Sequence, residues 1–225
     1  MIDAVMAFLS APLDLYCERT DPTYWAEPVN AISNAAFLIA ALAAFMHWRR
    51  SGGRDPPVLA LIVVVVLVGL GSFAFHTWAT RGAMLLDVVP IGIFIYGYFL
   101  LALRRILKLA WFPAILLFTA FIALSLSLAR FVPRDVLNGA SGYLPALAAL
   151  FAIGWLARTQ YAGRALLLAG AIFIASLASR IADLAVCGAI PLGTHFVWHV
   201  LNAAVLYVVL RAVLANRAGA AQEPP

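Results

Sequence analysis

The chain has 225 residues, 65% of them hydrophobic and only 11% charged, with a mean hydropathy of +0.99. That balance excludes a soluble domain and is the balance of a polytopic membrane protein. The net charge of +5 therefore reads as loop charge that orients helices, with no nucleic-acid partner implied.

In chain order, Met1 to Ser10 carries no basic n-region and too short an apolar run for a cleaved signal peptide, so the first full span is expected to direct insertion. Residues 1–27 form an N-terminal segment in which Asp14, Glu18, Asp21 and Glu27 supply four of the ten acids of the chain. Oxygen ligands packed into a short loop suit a hard cation such as calcium. The spacing is not that of an EF-hand, and solvated helix-capping acids are the competing reading.

Apolar runs bounded by charge, Gly and Pro then predict helices over about 28–48, 57–77, 83–103, 111–130, 141–158, 164–181 and 193–214, each near the ~20 residues a bilayer requires. The expected fold class is all-α: an integral membrane bundle of seven transmembrane helices. It forms a single membrane domain over 1–225, with 215–225 as a cytoplasmic tail. The loops after helices one, three, five and seven hold ten of the fifteen basic residues, which places that face in the cytoplasm and the N-terminus outside. Arg19, Arg81, Arg130, Arg134 and Arg180 fall on the outer face. The compact loops and short tails look bacterial, so the outer face is expected to be periplasmic.

Cys17 and Cys187 fall on that same oxidising side, where a disulfide between them would persist. Two unrelated buried thiols are the alternative.

Three of the four histidines lie within or at the ends of apolar spans: His76 ends the second, and His195 and His199 begin the seventh. Polar groups at membrane depth are costly and mark function. The H-x-x-x-H pair puts two imidazoles one turn apart on one helix face. A third ring would complete a zinc site with one position left open. Asp87, opening the third span, and Ser72, one turn before His76, sit at compatible depth. Taken singly, each of these has a bland reading: a histidine or Ser72 at a helix contact, or Asp87 as an N-terminal helix charge. His47 lies in H-W-R-R at the opposite leaflet and reads as interfacial. Ser33 and the amides Asn30, Asn34 and Asn202 are further polar residues within the spans; interhelical hydrogen bonds explain the amides, and Arg180 with Asp183 can pair on one helix face.

Together, C-E near the start, E-P-V-N-A-I-S-N opening the first span, S-F-A-F-H ending the second, Asp87 eleven residues later and G-T-H-F-V-W-H opening the seventh resemble the alkaline ceramidase family. Its motif logic is similar to that of adiponectin-receptor and progestin-receptor-like membrane proteins. The resemblance runs from Asp14 to about Leu210. It implies a zinc-dependent amidase acting on a membrane lipid amide, ceramide or a related bacterial amino-lipid. In it His76, His195 and His199 bind zinc, Asp87 serves the zinc water and Ser72 helps hold the oxyanion. It also implies a calcium site near the N-terminus, with Glu18 and Glu27 matching well and Asp14 and Asp21 less closely, and a Cys17–Cys187 disulfide. Two other classes compete: a lipid-binding receptor or sensor with a structural zinc, and a haem carrier with paired axial histidines.

Overall fold

The computed structural model describes residues 1–133 and 136–220. Its regular structure is helical: α1 Ile2–Ser10, α2 Pro28–Ser33, α3 Ala35–Arg50, α4 Pro56–Trp78, α5 Arg81–Arg105, α6 Trp111–Phe131, a 3-10 turn Val136–Tyr143, α7 Leu144–Leu156, α8 Tyr161–Val186 and α9 His195–Ala220. Counting α2 with α3 and the 3-10 turn with α7, seven spans among the described residues are long and apolar enough to cross a membrane. The chain is an integral membrane protein.

The spans run longer than the hydropathy runs because capping residues extend them. Asp55 accepts the Val58 N–H at the start of α4, and Thr80 does the same for Ala83 in α5. The first span is interrupted at Asn34, and α9 continues past 214 through Ala220, so part of the expected tail is helix. Arg134, counted above in the outer loops, and residues 221–225 of that tail lie outside the described residues.

In the bundle α8 lies along α9 and α4 along α5, while α3 bridges α4 and α9. The core between them is built from small and branched residues such as Ala41, Ala44, Val58, Val65, Ala169 and Val213. The outward faces of α5 and α6 remain apolar, with Ile93, Leu116 and Leu124 exposed. A water-facing helix would carry polar groups there, whereas a lipid-facing one need not.

Two features bring the N-terminal segment over one end of the bundle. Its backbone pairs with the turn between α4 and α5, Leu13 donating to the Ala79 carbonyl and Arg81 to that of Ala11. The Cys17–Cys187 disulfide then ties it to the end of α8, with Cα atoms 5.3 Å apart. Short α1 was not expected from the sequence. It lies against α5, and the Arg81 guanidinium covers the Phe8 ring at 4.6 Å.

Candidate metal centre

The end of α4 and the start of α9 meet beneath the N-terminal loop, and there the structure gathers His76, His195 and His199. One ligand atom from each ring lies within 4.8 Å of the others, and all three residues are buried. Among the described residues this is the one group of three or more such side chains close enough to share an ion. His47, at the far end of α3, takes no part.

The hydrogen bonds around the rings fix which nitrogen carries the proton. His76 Nδ1 lies 2.6 Å from Glu27 Oε2, and a carboxylate can only accept, so Nδ1 donates. Burial alone would raise the Glu27 carboxyl, but the hydrogen bonds from His76 and Arg19 outweigh it and hold the group below the ordinary carboxylate range. His199 Nδ1 lies 2.7 Å from Ser33 Oγ. That hydroxyl gives its one hydrogen to the Asn30 carbonyl at 2.8 Å, so His199 Nδ1 donates too.

Both Nε2 atoms are thereby left as bare lone pairs, 3.2 Å apart and buried. Two acceptors face each other with no proton to share, and His195 Nδ1 is buried with no hydrogen-bond partner among the described residues. Such a cluster is unfavourable by itself and fits a cation held between the rings.

His195 is set by a different device. Asp183, fully buried near the end of α8, accepts the backbone N–H groups of Thr194 at 2.7 Å and His195 at 2.9 Å, capping α9 across the chain. Its other oxygen accepts the Cys17 N–H at 3.1 Å. Gly193, at φ +63°, leaves the space this needs, since a Cβ there would overlap Asp183 Oδ1. Tyr16 stacks on the His195 ring with centroids 3.7 Å apart. Burial raises its phenol more than the nearby Arg180 lowers it, so it stays protonated.

The expected Arg180–Asp183 pair does not form. Asp183 is engaged by backbone donors, and Arg180 donates instead to the Tyr16 hydroxyl at 3.2 Å, beside the rings of Tyr143 and Trp198.

Ser72, Asp87 and His199 line one end of a cavity whose remaining wall is almost wholly apolar, running between the helices to Leu206 and Val209. The Ser72 and Asp87 side chains lie close together there. Their closeness has a local cause. Pro90 has no N–H for the Leu86 carbonyl to accept within α5. That carbonyl faces Gly71 of α4, where a Cβ would overlap it.

The model of one family, described as Ceramidase, matches residues 15–224. The chain belongs to the ceramidase family. Membership makes it a hydrolase of that family, and the family implies a lipid amide of the membrane as the class of substrate. No curated protein matches the chain. In this ceramidase-family chain the buried cluster just described is the group of side chains that could hold a metal ion.

The four loop carboxylates expected to bind calcium are not brought round one point. Glu18 spends both oxygens on the backbone N–H groups of Val29 and Asn30, at 2.6 and 2.8 Å, capping α2. Glu27 gives Oε1 to Arg19 and Oε2 to His76 and the Asn30 amide. Asp14 is exposed, and so is Asp21, which accepts the Thr23 N–H at 2.7 Å. These residues do not fit a calcium ion as they stand.

The roles of Glu27 and Ser33 toward the rings, and of Asp183 as a cap, were missed in the sequence. Glu27 is 49 residues from His76, and Ser33 is 166 from His199. Their one signal was their presence as polar groups at the mouth of an apolar span.

Proposed function

We propose that the protein is a zinc-dependent intramembrane amidase that splits the N-acyl amide of ceramide or a related amino-lipid into fatty acid and amine. In this reading His76, His195 and His199 hold the zinc, Asp87 moves the proton and Ser72 steadies the amide oxygen. The observation that carries it is the pair of bare Nε2 atoms 3.2 Å apart at the head of an apolar cavity. Two nitrogens about 2.0–2.1 Å from one tetrahedral zinc would stand about 3.3 Å apart. An all-imidazole donor set suits zinc better than calcium or magnesium.

A zinc ion held there supplies Lewis acidity and makes hydroxide available near neutral pH. The residues supply the rest. Asp87 accepts the proton of the attacking water and passes it to the leaving nitrogen, which must be protonated before the C–N bond breaks. The Ser72 hydroxyl donates to the amide oxygen as charge develops, where the apolar wall excludes competing water. The acyl chain lies along the cavity toward Val209. The same reading keeps the chain as one membrane domain, with residues 1–27 and the site on the outer face and the end of α9 in the cytoplasm. The disulfide on the site face and the basic loops opposite support that orientation.

His199→Ala should abolish both bound zinc, by metal analysis, and hydrolysis of a lipid-amide panel read by mass spectrometry. Asp87→Asn should keep its zinc and lose about 10²–10⁴-fold in kcat. Full turnover by Asp87→Asn would remove Asp87 from the mechanism. Tight lipid binding with no cleavage even at high protein concentration would make the protein a receptor.

A further inference from the structure

Arg19 is buried in a stretch whose next six residues, Thr20 to Trp25, are exposed. Its guanidinium is ringed by oxygens. Nε donates to Glu27 Oε1 at 2.6 Å, one terminal nitrogen to the carbonyls of Asp21 and Thr23, each at 3.3 Å, and the other to the carbonyl of His76 at 3.2 Å. One carboxylate and three carbonyl oxygens surround the group, and oxygen donors of these kinds are what a hard cation such as calcium takes. The His76 carbonyl belongs to the last turn of α4, where carbonyls lack helical partners and the helix dipole favours positive charge.

We propose that the Arg19 guanidinium is the resident cation of this loop, standing where a calcium ion would otherwise stand, and that through Glu27 it holds the His76 ring so that the centre assembles without calcium. Three observations converge on this. The acids expected to ligate calcium are already engaged or face solvent. The oxygens that could ligate it are already directed at a guanidinium, a cation that no chelator removes. A chain of contacts runs from the loop to the centre: Arg19 to Glu27 to His76, with 2.6 Å at each step. Arg19 touches neither substrate nor metal, so it is a positioning residue.

The test is made on full-length, zinc-loaded protein prepared without calcium, and reads calcium binding, melting temperature and zinc affinity. Wild type should show no saturable calcium binding and no change in melting on adding calcium. Arg19→Ala should melt several degrees lower and bind zinc roughly tenfold more weakly, the low end of the loss when an outer partner of a ligand is removed. Calcium should restore both, half-saturating on the order of 10⁻⁴–10⁻³ M, whereas magnesium, which demands tighter octahedral geometry, should not. Arg19→Lys keeps the charge and should remain insensitive to calcium. One calcium bound per wild-type chain with raised melting would overturn the proposal. So would an Arg19→Ala protein as stable and zinc-tight as wild type, or one whose losses calcium does not restore. If Arg19→Ala does not fold, wild type and Arg19→Lys decide: calcium-dependent melting in either overturns the proposal, and insensitivity in both supports it. The calcium and melting measurements need no substrate, so a failed amidase assay leaves them standing.

Discussion

At the scale of the residue, the centre depends on side chains that ligate nothing. A neutral imidazole can offer either nitrogen, and the choice is made by what the other nitrogen meets. Glu27 and Ser33 make it for His76 and His199, and both direct Nε2 inward. Ser33→Ala removes the acceptor at His199 without touching a ligand. It should weaken zinc binding about tenfold or more, measured by competition with a chromophoric chelator, while the fold and the disulfide persist. Unchanged zinc affinity would mean the ring is held by its packing alone. His76, His195 and His199 could be picked out of the sequence because imidazoles are rare at membrane depth. Ser33 could not, because a serine in a membrane helix is ordinary and nothing local links it to a ring on the last helix.

At the scale of the element, the site depends on how closely α4 and α5 approach. Gly71 admits the Leu86 carbonyl, and the residues that follow each of these, Ser72 and Asp87, are the pair proposed to act on the amide. Gly71→Ala should force the helices apart, at a cost of about 1–3 kcal/mol for overpacking. It should lower both the melting temperature and turnover. Gly92→Ala on the same α5, where a Cβ meets only the far edge of Tyr96 at 4.0 Å, is the control and should change neither. Equal behaviour of the two variants would show that the approach does not matter. Spans of this kind are legible in sequence because hydropathy and length act locally. The break at Asn34 and helix α1 were not, for different reasons. The break falls at Ser33 and Asn34, polar residues that a membrane helix can carry without being interrupted, and the nine residues of α1 are too few to cross a bilayer, so only its contact with α5 gives it a place.

At the scale of the whole molecule, the proposed chemistry and the selection of substrate would occupy opposite ends of one cavity. His199 stands at its head and Val209 near its foot, ten residues along α9, which at 1.5 Å per residue is about 15 Å. An acyl chain filling that length would be measured by the side chains at the foot, while the amide at the head would meet the same groups whatever the chain. Leu206→Trp narrows the foot and leaves every proposed catalytic and metal-binding residue in place. It should lower kcat/KM for long-chain amides by about 10–200-fold, the range a hydrophobic pocket commands, with short-chain amides and zinc content unaffected. The comparison of chain lengths on one variant separates the cavity from the centre. A uniform loss across all lengths would mean that the acyl chain lies elsewhere, on the lipid-facing surface of the bundle, and that the cavity holds some other part of the substrate.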